Sequence, residues 1–164
     1  MISQAATVQS SYNSPLGRMV LAATPTHLVG VWFDGQSHQP NPEAWPMDDD
    51  HPLLVKTRAQ LSAYFLNPAP GFDLPLDLSQ GTEFQQSIWR ALMGITPGKT
   101  ASYGALSAQI GKPAAVRAAG GAIGRNPFSI IIPCHRVIGA RGALTGYAAG
   151  LARKTALLQH EGAL

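Results

Sequence analysis

Cysteine is almost missing from this chain, which carries a single one, Cys134, in 164 residues. A lone thiol excludes an internal disulfide and any zinc site built on several thiolates, so it is either core filler or chemistry. The five histidines, at positions 27, 38, 51, 135 and 160, lack the paired spacing of a metal-binding helix, and no metal is expected. Nowhere do eighteen apolar residues run together, and no basic start followed by an apolar stretch opens the sequence. Neither a membrane span nor export is indicated, which places the protein in the cytoplasm. Charged residues are sparse at 13%, yet a hydrophobic content of 45% supports a real core and argues against disorder.

What charge there is lies unevenly. Up to Ser79 three Lys or Arg face seven Asp or Glu, a net −4, whereas from Gln80 onward nine face two, a net +7. A basic half beside an acidic one is the electrostatic footprint of nucleic-acid binding. The expected division is an N-terminal domain with its connector over 1–79 and a C-terminal domain over 80–164.

Two β-branched, apolar runs, Arg18 to Ala23 and His27 to Phe33, flank Thr24-Pro25-Thr26 and read as a hairpin. Gln36 to Asp50 is rich in proline and acid and reads as an exposed loop. From His51 to Leu66 the residues Leu53, Leu54, Leu61, Tyr64 and Phe65 recur at helical intervals until Asn67-Pro68 stops them. Ala69 to Gly81 reads as a connector.

Thr82, with Gln85 three residues on, predicts a capped helix whose face is Phe84, Ile88, Trp89 and Leu92 and which closes at Pro97-Gly98. Ser102 caps a second helix through Ile110, ended by Gly111. Pro113 suits the first turn of a third, Ala114 to Gly124, so the pattern is helix, tight turn, helix. That third helix is made of small residues with Arg117 as its one charge before Arg125. It is either a tightly packed core helix or one built to approach another surface closely. Ile130-Ile131-Ile132 reads as a short buried strand stopped by Pro133, and a last helix starts near Gly150.

Proline cannot continue a ladder, so Cys134 is delivered at an edge. Cationic or basic neighbours raise a thiol's thiolate fraction, and His135 and Arg136 are adjacent. Successive residues of a strand point to opposite faces, so His135 reaches Cys134 only if the backbone turns after Pro133 or a water bridges them. A cysteine hydrolase would need a distant histidine, and nothing recommends His27, His38 or His51 for that role.

Pro133-Cys134-His135-Arg136-Val137, preceded by Asn126-Pro127 and followed by Gly146-Tyr147-Ala148-Ala149-Gly150, Lys154 and His160-Glu161-Gly162, closely resembles the O6-alkylguanine-DNA alkyltransferases. The likeness extends to Ser14-Pro15-Leu16-Gly17, Tyr64-Phe65, Gly81-Thr82-Glu83-Phe84-Gln85, Trp89, Ser102-Tyr103-Gly104 and Val116-Arg117-Ala118-Ala119-Gly120, most of the chain.

The resemblance implies an α/β fold: a small N-terminal ribonuclease-H-like domain and a mainly helical C-terminal domain whose helix-turn-helix enters the minor groove of double-stranded DNA. Small side chains such as Ala118 and Gly120 suit a narrow groove. It further implies irreversible transfer of the alkyl group from O6-alkylguanine, and from O4-alkylthymine, onto Cys134 after the base is flipped, at a cost of a few kcal/mol. Arg117 would fill the gap left by the base, and Tyr103 would push the neighbouring phosphate and donate a hydrogen bond to the guanine ring. His135, oriented by Glu161, would take the thiol proton through water. Asn126 would brace the active-site turn, and Tyr147 with Ala148 would line the pocket. The carbonyls of Cys134 and Val137 would receive the exocyclic amine, and Lys154 is either a pocket cation or a solvated lysine. No cofactor is implied; the protein would act as a monomer, with cooperative assembly along DNA open.

The sequence departs from the family's usual pattern at Ile95-Thr96-Pro97-Gly98, at Val116, where alanine is usual, and at Ala149, where glycine is common and a methyl group is expected to narrow the pocket. A DNA-binding module without a nucleophile and a helix-turn-helix regulator are the competing readings; Cys134 speaks against the first and the lack of other thiols against the second.

Overall fold

The computed structural model describes residues 6–164. Three antiparallel strands, β1 (Val8–Ser14), β2 (Gly17–Ala23) and β3 (Leu28–Phe33), form a meander in chain order. The β2–β3 hairpin follows from the two apolar runs, whereas β1 escapes pattern reading because its residues are mostly polar and it supplies an outer strand. Its turn into β2 is closed by Ser14, whose hydroxyl donates to the Gly17 carbonyl at 2.7 Å.

Every residue of β3 and all of β2 from Met19 to Ala23 are buried, because both faces of the sheet are covered. Side chains alternate across a strand. Met19, Leu21 and Ala23 therefore join the main core, while Val20 and Ala22 face a second cluster with Val29, Trp32 and Trp45. The pairing slips between Ala22 and Ala23, so that Leu28, Val31 and Phe33 reach the main core despite their uneven spacing.

The segment 36–50 has no helix and no multi-residue strand, as expected, but it is not simply exposed. Trp45 is buried and stacks on Trp32, and Gln36 is buried with its carbonyl oxygen accepting from Phe33 N and Ser129 Oγ. The apolar back of the sheet needs a cover, and the loop supplies it.

Helix α1 (Pro52–Leu66) starts under the cap of His51, whose ring accepts from Leu53 N, and buries Leu54, Thr57, Leu61 and Tyr64. The connector that follows crosses β3, where Leu28 forms an isolated parallel bridge with Leu76. Helix α2 (Glu83–Leu92) carries the full capping box of Thr82 and Gln85. It ends at Leu92, a turn and more before Pro97-Gly98, because backbone bonds from Gly94 and Ile95 to the last carbonyls tighten the chain into turns.

A two-residue strand β4 (Ala101–Ser102) leads into α3 (Tyr103–Gln109), capped by Ser102, and α4 (Val116–Gly124) follows. Pro113 lies in the intervening turn and not in the first turn of α4, which starts two residues later than expected. Lys112, bonded backbone to backbone with Ser107 and accepting from its hydroxyl, holds that turn closed. A 3₁₀ turn over Cys134–Arg136 runs into β5 (Val137–Ile138), which pairs in parallel with β4, and α5 (Leu151–His160) closes the fold.

The two halves share one core. Buried residues of β2, β3 and α1 pack continuously with Ile88, Leu92, Ala119, Ile132, Val137 and Leu157. The free edge of β3 is covered from the C-terminal half, since Val31 N donates to Pro127 O at 2.8 Å and Ser129 N to Val31 O at 2.9 Å. No helix among the described residues is long and apolar enough to cross a membrane.

Candidate active site

Ile130, Ile131 and Ile132 are buried, yet they form turns and not the expected strand. The cause is Asn126. Its side-chain oxygen accepts from Phe128 N at 2.9 Å, while its amide donates to Ile132 O at 2.7 Å and to Phe128 O at 3.3 Å. Those bonds wrap the segment around one amide, and Ile130 is held at φ +72°, a conformation a β-branched residue adopts only when its surroundings enforce it. Pro133 then leads directly into the 3₁₀ turn, so Cys134 begins a helical turn and is 5% exposed. The backbone does bend after Pro133, and the opposite-face geometry of a strand does not apply to Cys134 and His135.

Behind the thiol lies a buried ionic cluster. Glu161, at the end of α5, accepts from His135 Nε2 at 2.8 Å, from Arg136 Nε and Nη2 at 2.8 Å each, and from the Tyr64 hydroxyl at 2.6 Å. Burial alone would raise this carboxyl, but the hydrogen bonds from Arg136 and His135 outweigh it and hold the group at about 2. An ionised carboxylate only accepts, so the proton of the imidazole sits on Nε2 and Nδ1 carries the lone pair. Burial lowers His135 below its ordinary 6.5, although the bond to Glu161 opposes the shift, and the ring is neutral. The result is a fixed-tautomer base on the residue next to Cys134, with no hydrogen-bond partner on Nδ1 among the described residues.

Arg136 differs from expectation. Both of its bonded ends are committed to Glu161 and to the Ile95 carbonyl, so it does not act as the cation at Cys134. The positive charge acting on the sulfur is Lys154, and Asn126 and Tyr147 also favour the thiolate, but burial prevails and pushes the thiol up. Cys134 rests protonated, and its reaction requires that the proton leave.

Lys154 is fully buried, which removes the solvated alternative. Its ammonium donates to Val137 O and, at 3.0 Å, to Thr145 O, fastening β5 to the 139–149 loop. Burial lowers its pKa, with the Cys134 charge opposing.

Above Cys134 opens a cavity of about 370 Å³ lined by Tyr103, Gly120, Cys134, Tyr147 and Ala148 among others. Of the expected site residues these five meet in one space, whereas the side chains of His135, Glu161, Asn126, Val137 and Lys154 are not among its lining. Ala149 packs into the core and does not line the cavity, so its methyl group does not narrow the pocket. Helix α4 packs one face into the core and leaves the other open. Ala119, Ala122 and Ile123 are buried, the Ala122 carbonyl accepting from Trp89 Nε1 at 2.9 Å, while Val116, Arg117, Ala118 and Gly121 form an exposed face of small residues around one arginine.

Sequence reasoning missed three contributions from the N-terminal half. Tyr64 reaches Glu161 across 97 positions, and Ser37 and His38 form part of the cavity rim, with Ser37 N donating to Ala148 O at 3.0 Å. No local periodicity signals such contacts. Thr145, which no sequence signal singles out, is hydrogen-bonded to Tyr103.

The buried cluster dictates acid lability. Glu161 shifts from 4.5 to about 2 on folding, so its stabilisation is complete above pH 4.5 and lost as pH falls toward 2. His135, lowered on folding, adds loss in the same direction once pH drops below 6.5. Thermal unfolding followed over a pH series should show a midpoint that declines from pH 6.5 downward and most steeply below 4.5; a midpoint that rose on acidification would contradict the assignment.

The chain matches the family described as 6-O-methylguanine DNA methyltransferase, ribonuclease-like domain, over residues 7–78, and the DNA binding domain of the same description over residues 83–163. The methylated-DNA–protein-cysteine methyltransferase of Mycobacterium tuberculosis strain H37Rv is 46% identical over 149 residues, covering 91% of this chain and 88% of that protein. The protein of the same name from Haemophilus influenzae is 42% identical over 151 residues, 92% of this chain and 83% of that one. Among solved structures, the M. tuberculosis O6-methylguanine methyltransferase superposes with a TM-score of 0.86 at 44% identity, covering 95% of this chain and 93% of that one. The M. tuberculosis OGT in complex with DNA gives 0.83 at 43% identity, covering 95% and 92%.

Proposed function

The chain belongs to the 6-O-methylguanine DNA methyltransferase family, and from that premise we propose that it repairs alkylated DNA directly by moving the alkyl group of O6-alkylguanine onto Cys134. The observation that carries the assignment to this residue is the single buried thiol at the floor of a cavity, backed by a neutral histidine whose tautomer an ionised glutamate fixes.

The thiol proton passes through a water to His135 Nδ1. The sulfur attacks the carbon bonded to guanine O6, the carbon–sulfur bond forms as the carbon–oxygen bond breaks, and guanine departs and takes up a proton. A thioether without an activating group has no easy leaving path, so each molecule acts once. O4-alkylthymine offers the same alkyl–oxygen bond and is a second substrate.

The target sits inside a duplex, and Cys134 is buried, so the base must leave the stack to meet it. The exposed face of α4 lies in the minor groove, with Ala118 and Gly120 permitting close approach and Arg117 filling the vacated position. Tyr103 turns the phosphate and donates to the flipped base, Tyr147 and Ala148 hold the ring, and the carbonyls of Cys134 and Val137 select the exocyclic amine. Lys154 and Asn126 keep those carbonyls and the turn in place. The division of labour falls at residues 79 and 80, the protein acts in the cytoplasm as a monomer, and phosphate contacts make its affinity fall with salt.

Mass spectrometry after incubation with a duplex containing one O6-methylguanine tests the reading. A permanent one-to-one adduct of about one methylene on the Cys134 peptide is expected; multiple turnovers, or an adduct elsewhere, would overturn it.

A further inference from the structure

Gly146, Tyr147 and Ala148 of the loop 139–149 line the cavity, and the preceding Thr145 is held by two hydrogen bonds, with its methyl group close to Gly139. Its hydroxyl lies 2.7 Å from the Tyr103 hydroxyl, its carbonyl accepts from the buried Lys154 ammonium at 3.0 Å, and its methyl group stands 3.3 Å from where a side chain on Gly139 would begin. Tyr103 in turn lies over Gly120 of α4, at ordinary contact distance from the point where a Cβ would stand. The Tyr103–Thr145 bond therefore ties the helix-turn-helix side of the cavity to the loop that carries Tyr147.

We infer that Thr145 is a positioning residue for alkyl transfer, donating its hydroxyl hydrogen to the Tyr103 oxygen so that the single Tyr103 hydrogen is directed at the flipped guanine. A phenol has one hydrogen and can accept while it donates. Were Tyr103 to spend its hydrogen on Thr145, none would remain for the base; the threonine hydroxyl can rotate to become the donor, and a bond accepted by the phenol oxygen strengthens the one it gives. The main-chain anchor on Lys154 keeps the hydroxyl in place without help from Tyr103. The inference rests on the proposed alkyl transfer and adds to it a residue that touches Tyr103 and not the base.

The test uses the full-length protein and a duplex bearing one O6-methylguanine, with single-turnover rates at saturating DNA and affinity measured separately. T145V, which keeps the shape and removes the hydroxyl, is expected to slow transfer about tenfold, within the coupling range of contacting residues, and to leave DNA affinity within about twofold. T145S, which keeps the hydroxyl, is expected to restore the rate to within about threefold of the parent. In a Y103F background T145V should cost nothing further. An unchanged rate for T145V, a loss that T145S fails to restore, or an equal loss in the Y103F background would each overturn the inference while leaving the repair reading intact. Failure of the unaltered protein to alkylate Cys134 would remove both.

Discussion

Cys134→Ser should abolish alkyl transfer while leaving the protein folded and able to hold DNA. The substitution changes one buried atom for a slightly smaller one of the same valence, so the turn built by Asn126 and Pro133 keeps its shape. What changes is the nucleophile. An alcohol ionises far above a thiol, and His135, a neutral imidazole lowered by burial, is too weak a base to draw that proton at neutral pH. A serine oxygen is also the poorer attacking atom at a saturated carbon. The rate should fall by more than about four orders of magnitude, the scale on which loss of a covalent nucleophile registers in other enzymes. Affinity for a lesion-containing duplex, measured by fluorescence anisotropy, should stay within about twofold, because the exposed face of α4, the surface proposed to meet DNA, is untouched. Clearance of lesions by the serine variant would end the proposal.

Much of the scaffold that carries this thiol could be read from local pattern. The capping box at Thr82, the Ser102 cap, the Gly111 stop and the β2–β3 hairpin are each encoded within a few residues, and each appears where its signal stands. The failures share one physical origin, side-chain and strand contacts that no hydrophobic period encodes. Ile130 to Ile132 have strand composition, but Asn126 bends them into turns, and β1 is a strand only because β2 lies beside it. A lysine four residues into a terminal helix looks solvated until the Val137 and Thr145 carbonyls are found around it.

The chemical site divides the same way. Cys134 and His135 stand out because they are adjacent and follow a proline. Glu161 enters through resemblance alone, and nothing local indicates that Tyr64 and Arg136 share it. Composition suggested that Arg136 would assist the sulfur. The structure gives the arginine to the glutamate instead, because a buried carboxylate with four donors around it is the stronger sink for a cation than a protonated thiol.

That sink makes Glu161→Gln the most disruptive change outside the nucleophile. The carboxylate accepts four hydrogen bonds, two of them from a guanidinium that can only donate. A glutamine presents one carbonyl oxygen and one amide NH₂, so in either orientation the NH₂ meets a group that also donates. If the NH₂ takes the place of Oε1 it opposes Arg136 Nε; if it takes the place of Oε2 it opposes Arg136 Nη2, and the imidazole must move its proton to Nδ1 and can no longer receive the one from Cys134. In both cases the buried guanidinium loses its counter-charge, which typically costs 3–5 kcal/mol, about the loss expected in thermal or denaturant unfolding. Transfer should slow by at least about 100-fold below the temperature at which the variant unfolds, in line with losses from disturbing the carboxylate behind a catalytic histidine. Tyr64→Phe separates the two effects, because it removes one donor to Glu161 and no charge. It should cost about 1 kcal/mol and leave the rate within a few-fold. If the glutamine variant were destabilised yet transferred at the parent rate, Glu161 would be a structural counter-ion only, and the orientation of His135 would have to come from elsewhere.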